Sequence, residues 1–208
     1  MFDFSTLGAF IAVVIGLFLI PGPAVLLTAT RTVQGGRRAG VIAGIGLATG
    51  DLIHTIFAAV GLSAILMTSA LAFNIVKFAG AAYLIYLGIR ALLEKPSDPK
   101  LPKVAPVSSL NTYGQAILTE VLNPKTALFF LAFLPQFVHP EQGASVLQFL
   151  FLGLLFVLLG VMYTTLIAFC IRPLGRLVKR ISWLGRFSGK IVGTIYLVLG
   201  LKVAFQSR

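Results

Sequence analysis

The chain has 208 residues, 58% of them hydrophobic and only 11% charged, with a formal net charge of +11. A soluble domain carries about 25% charged residues, so this composition excludes an ordinary soluble globular protein and points to a polytopic membrane protein. It leaves no soluble part to carry nucleic-acid binding, and the basic residues punctuate apolar runs as loop charges do in membrane proteins.

A membrane-crossing helix needs roughly 20 apolar residues, and six stretches meet that measure. The first runs from about Ser5 to Thr30. Only Asp3, and no Lys or Arg, precedes it, unlike the basic start of a signal peptide, so it reads as a retained span. Pro21, Gly22 and Pro23 interrupt it. Proline lacks the N–H of the helical ladder and clashes with the preceding turn. In hydrocarbon a lost backbone bond must be replaced by protein or cavity water. The second span runs from about Ala39 to Thr68 and contains Asp51 and His54; the third runs from about Ala70 to Leu93. The segment from Glu94 to Leu110 holds four prolines and reads as an exposed linker. The fourth span, Thr112 to Val138, holds Glu120 and a second interruption at Asn123, Pro124 and Lys125. The fifth runs from about Ala144 to Ile171, and the sixth from about Arg186 to Phe205.

The basic residues orient these spans. Thirteen of the seventeen fall in the 1–2, 3–4 and 5–6 connections, among them Arg31, Arg37 and Arg38 in the first. The positive-inside rule makes those connections cytoplasmic and puts both termini outside. Three spans on either side of the linker, each set opening on a proline-broken helix, predict two oppositely oriented repeats, 1–93 and 111–208, joined by a cytoplasmic linker, 94–110. The expected fold is thus all-α, with six transmembrane helices as two inverted three-helix repeats in a single transporter domain. Substrate sites in such folds lie where broken helices meet.

Four ionisable residues lie within spans at positions that could carry chemistry. A carboxylate such as Asp51 costs roughly 2.5–3.5 kcal/mol at mid-membrane, so it should face a partner or a wet cavity. His54, three residues on, shares its helix face; the two could relay a proton, or simply knit two helices together. Lys125 could pair with Asp51, bind a substrate carboxylate, or snorkel from a kinked helix. Glu120 is a second proton or cation candidate, and its spacing from Lys125 does not make a same-face pair. Asn123 adds an amide that donates and accepts. Pro124 frees a carbonyl near Glu120 and, if the helix breaks there, exposes an anion-favouring N-terminus. Small-residue strings at Gly36-Gly40-Gly44, Gly46-Gly50 and Gly185-Gly189-Gly193 allow close helix approach, which would turn Asp51 inward. Phe129, Phe130, Phe133 and Phe137 are explained by bundle packing or lipid contact, and Tyr83 and Tyr86 by either packing or a cavity role. The single cysteine, Cys170, excludes an internal disulfide. There is no HExxH, GxSxG, P-loop or Cys/His cluster, so an enzyme is not expected and no cofactor or metal is called for.

Several stretches together resemble the LysE/RhtB family of amino-acid exporters. They are Leu19-Ile20-Pro21-Gly22-Pro23, the segment from Gly44 to Asp51, the run from Lys77 through Ala79-Gly80-Ala81-Ala82-Tyr83 to Gly88, and Leu122-Asn123-Pro124-Lys125 through Phe133-Leu134-Pro135-Gln136-Phe137. The resemblance, nearer the homoserine/threonine branch, implies export of amino acids or close derivatives from the bacterial cytoplasm, driven by the ion gradient. It carries over Pro21, Gly22, Pro23, Asp51, Asn123, Pro124 and Lys125 as motif residues; His54 rests on the physical argument alone. The expected partners are an amino-acid substrate, protons as the coupling ion and membrane lipid, and a homo-oligomer is compatible. The expected location is the bacterial inner membrane. Two other readings stand beside this one: an exporter of another small solute or metal cation, and a membrane scaffold that transports nothing.

Overall fold

The computed structural model describes residues 2–19, 22–62 and 108–178, with scattered helical positions between 75 and 93 and between 194 and 201. Among the described residues the regular elements are all helical and no strand occurs. The third and sixth expected spans lie largely outside them, as do the linker up to 107, Pro21, Lys77 and Tyr83.

Helix α1 spans Phe4–Leu19. Asp3 caps it, its Oδ1 accepting the Thr6 N–H at 2.6 Å. The chain restarts at Gly22 with Pro23 at the first helical position of α2, Pro23–Phe57. Proline is favoured there because its missing N–H would have no intrahelical partner anyway.

α2 is two arms, 23–35 and 37–57. Gly36 has φ 76° and ψ −174°, a backbone open to glycine and strained for other residues. Leu27 packs against the cluster of Ala43, Leu47 and Ala116. Sixteen or more residues separate Leu27 from Ala43 and Leu47, about 24 Å along a straight helix. The chain therefore doubles back at Gly36, and Gly40 meets Thr32: a Cβ on Gly40 would lie 2.0 Å from Thr32 Oγ1. The reversal falls inside the basic connection read from the sequence, but Arg31 does not lie in a loop. The helix runs on to Gly36 and Arg31 is buried, 4% exposed. A π-helical turn, Ala58–Leu62, follows α2.

Helix α3 spans Ser109–Val121, with Ser108 Oγ accepting the Asn111 N–H at 3.3 Å. Helix α4 restarts at Pro124 and ends at Leu128. A π turn, Phe129–Phe133, and a 3-10 turn, Leu134–Phe137, continue it. The halves on either side of Leu122 and Asn123 meet at 43°, so the fourth apolar run is a truly broken helix. The buried Gln148 side chain then secures the next loop, accepting the His139 N–H at 2.8 Å and donating to the carbonyls of His139 and Gly143. Helix α5, Ser145–Val178, closes the described bundle.

Two faces of α5 explain its setting. Leu147, Phe151, Leu154, Leu158, Met162, Leu166 and Phe169 form an exposed apolar stripe at three- and four-residue spacing. Phe149, Leu152, Phe156, Thr164 and Ala168 are buried on the opposite side. An exposed apolar stripe of this length is costly in water and suited to lipid. By length and composition Ser145–Cys170 can cross a membrane, as can the stretch Pro23–Leu62, although Gly36 divides that stretch into two arms; the broken pair from Ser109 to Phe137 makes a third candidate. The protein is an all-α polytopic membrane protein. Its larger core joins α1 to the 129–138 turns and α5 through Phe10, Phe129, Phe130, Phe133, Phe149 and Phe156. The four phenylalanines from Phe129 to Phe137 thus serve bundle packing: Phe10 meets Phe129 at 6.1 Å and Phe137 edge-on at 5.2 Å.

Candidate functional site

Both helix breaks free a carbonyl, and each freed carbonyl is taken by a side chain from elsewhere. Four residues before Pro21 is Leu17, whose carbonyl accepts from Lys125 Nζ at 3.0 Å. Four residues before Pro124 is Glu120, whose carbonyl accepts from the Asn123 N–H at 3.0 Å and faces His54 Nε2 at 3.1 Å. A carbonyl only accepts, so Nε2 of that histidine is the donor.

Asn123 holds the second break together. It is 2% exposed. Its Oδ1 accepts the Lys125 N–H at 3.1 Å, capping α4. Its Nδ2 donates to Glu120 Oε1 at 3.2 Å and to Thr126 Oγ1 at 3.1 Å. The Thr126 hydroxyl donates to the same Glu120 oxygen. Glu120 and Lys125 are wrongly spaced for one helix face, yet the break brings both to one place.

Glycine sets Asp51 beside them. A Cβ on Gly50 would lie 2.6 Å from Glu120 Cβ, and one on Gly46 2.6 Å from the Tyr113 carbonyl. The second arm of α2 therefore lies almost backbone to backbone on α3. From the other side, Gly160 of α5 leaves room for the Asp51 carboxyl, 3.4 Å from where a Cβ would stand, and Gly44 does the same for Thr164. Asp51 is 5% exposed and Glu120 4%. Asp51 Oδ1 and Glu120 Oε2 are buried without a hydrogen-bond partner among the described residues. Buried carboxyl oxygens lacking partners are expensive, and rare outside sites that receive a ligand or proton.

These groups line one cavity of about 440 Å3, its open mouth included. Asp51, Glu120, Asn123, Lys125, Thr126 and Thr164 supply its polar wall; Phe18 and Tyr163, stacked at 5.4 Å, supply an aromatic one. Gly22 of the first break stands against Lys125: a Cβ there would be 3.4 Å from Nζ. The two breaks are thus bridged by one lysine. Among the described residues no group of three or more His, Cys, Asp or Glu could hold a metal ion.

His54 departs from the relay arrangement. Its ring turns to the Glu120 carbonyl and stacks on Phe130 at 5.6 Å, and it is not among the described residues lining the cavity. Thr126, Tyr163, Gly160 and the Leu17 carbonyl are site groups that sequence reasoning did not single out. Only Thr126, a hydroxyl next to the Asn123-Pro124-Lys125 break, carried a local signal.

Residues 15–207 match the model of a protein family described as LysE type translocator. This chain belongs to the LysE type translocator family. The LysE-family match covers both helix breaks and every residue of the cavity. Among similar proteins, the homoserine/homoserine lactone efflux protein of Salmonella typhimurium is 31% identical over 188 residues, 90% of each chain. The leucine efflux protein of Enterobacter sp. is 26% identical over 197 residues, 92% of each. A membrane protein of Bacillus subtilis is 31% identical over 207 residues, 95% of this chain and 98% of its own length. No solved structure matches the chain.

Proposed function

We propose that this LysE-family protein exports amino acids or close derivatives, of the homoserine and threonine class, from the bacterial cytoplasm across the inner membrane in exchange for protons. The observation that carries the reading is the convergence of Asp51, Glu120 and Lys125 on one cavity at the breaks of two helices. The names of the relatives support the substrate class. A zwitterionic amino acid offers one ammonium and one carboxylate. Asp51 and Glu120 suit the first; Lys125, near the start of α4, suits the second.

Competition for the two carboxyls supplies the coupling. Asp51 and Glu120 can take up either a proton or the substrate's ammonium, while the substrate's own carboxylate goes to Lys125. Proton and substrate then exclude each other from the same cavity, which is a negative coupling between two ligands. Loading one from each side of the membrane gives exchange. We read the Gly36 turn, with Arg37 and Arg38, as cytoplasmic and both termini as periplasmic.

The test compares intracellular and extracellular amino-acid pools with and without overexpression. The expected result is a rise of one or a few amino acids outside the cell, abolished by a protonophore. Unchanged pools for every amino acid would overturn the proposal.

A further inference from the structure

Arg31 is a buried cation that the cavity does not use. Its Nη1 donates to Gln34 Oε1 at 3.2 Å, and its Nη2 donates to Gln115 Oε1 of α3. Its Nε is buried without a partner among the described residues. Among the described residues His139 Nδ1 lies 3.2 Å from Glu141 Oε1, and none of their carboxylates reaches Arg31. A guanidinium has five N–H donors in a fork that matches a carboxylate. Here the acceptors are neutral amide oxygens, so among the described residues nothing offsets a positive charge that is 4% exposed. Burying a charge without a counter-charge is costly, and the arrangement would be relieved by a visiting anion.

The position of Arg31 says which anion. Ala24 lines the cavity, and Arg31 follows it by seven residues on the same helix face, about 10 Å nearer the Gly36 turn. Gln115 precedes Glu120 by five residues on α3, about 7.5 Å in the same direction. The guanidinium therefore stands between the two elements that build the cavity, displaced from it toward the turn carrying Arg37 and Arg38. We propose that Arg31, oriented by Gln34 and Gln115, is a second carboxylate-binding station, which receives the substrate's carboxylate from the cytoplasmic side before Lys125 does. The inference rests on the amino-acid export reading above. The two amides hold the fork while leaving its charge unspent, so the substrate can be passed on.

The test uses the full chain in proteoliposomes, loaded with homoserine, threonine or leucine and, in parallel, with the carboxamide of each, which keeps the ammonium and lacks the anion. Arg31→Gln is expected to lower amino-acid export by about tenfold or more, the worth of a charge-assisted bond pair, and carboxamide export by less than about twofold; Arg31→Lys restores part of the loss. Gln115→Glu sets a permanent carboxylate against the guanidinium. It is expected to raise thermal stability in detergent and to lower amino-acid export by about tenfold. A merely structural arginine would give Gln115→Glu normal export. Normal export by that variant, or equal loss of acid and carboxamide in Arg31→Gln, overturns the station while wild-type export still stands. If the wild type exports none of the three amino acids, the export reading falls and the station with it.

Discussion

Lys125 Nζ donates to the carbonyl of Leu17 at 3.0 Å across 108 residues of chain. Pro21 cannot use that carbonyl, since it has no N–H to offer. The same ammonium that would bind a substrate carboxylate is thus tied to the first helix break. A carboxylate arriving in the cavity competes with Leu17 for it, so substrate binding and the state of the break are linked. Lys125→Ala should leave Leu17 short of this donor at a cost of about 1–3 kcal/mol and reduce export by about tenfold or more. Lys125→Arg should keep part of both, because it still donates to carbonyl and carboxylate. Radiolabelled efflux and unfolding in detergent read the two effects; wild-type behaviour of the alanine variant would refute the link.

Asp51 and Glu120 should separate on substitution. Asp51→Asn keeps the size of the side chain but removes the charge, so the protein should insert at normal levels and lose export by about tenfold or more. Glu120→Gln keeps an Oε1 for Asn123 and Thr126 and should stay folded while losing the response of transport to an imposed pH gradient. Transport by either variant that follows the gradient as the wild type does would remove that carboxyl from the coupling.

His54 separates two mechanisms. If it acts by holding the Glu120 carbonyl, His54→Phe retains the stack on Phe130 and loses only one hydrogen bond, about 1 kcal/mol. Export should then fall modestly, with its pH-gradient dependence intact. Complete loss of that dependence would restore the relay with Asp51.

The glycines give a stability series. Gly50→Ala drives a Cβ into Glu120 Cβ at 2.6 Å, and Gly153→Ala drives one into Thr55 Cγ2 at 2.3 Å. Each should cost about 1–3 kcal/mol from overpacking. Gly114→Ala, with no atom within 4 Å of the new Cβ, should be neutral or stabilising by up to about 1 kcal/mol through helix propensity. Melting of the purified protein in detergent checks the order; a Gly50→Ala protein as stable as Gly114→Ala would contradict the backbone contact between α2 and α3.

Much of the site was legible before any coordinates. Proline and asparagine inside an apolar run announce a break because hydrocarbon offers no substitute hydrogen bond, and the fourth run is broken where Pro124 stands. An acid in such a run must turn inward, and Asp51 is buried. Burial of Arg31 was not legible, since a basic residue beside a turn reads as loop charge, and only the extension of the helix to Gly36 takes it inside. The partner of His54 was equally hidden. Helical spacing gives faces within one element and says nothing of the element 66 residues away.

The sequence by itself determined the membrane class, the helical content, the two breaks and the residues able to carry charge between them. These follow from local chemistry: hydropathy, the missing proline N–H and the cost of ionised groups in lipid. Only the tertiary structure decided that Lys125 spans both breaks, that Glu120 joins Asp51, and that Arg31 is buried against Gln34 and Gln115. Those are distances between remote elements, governed by how closely Gly46 and Gly50 let α2 approach α3 and by where the chain reverses at Gly36.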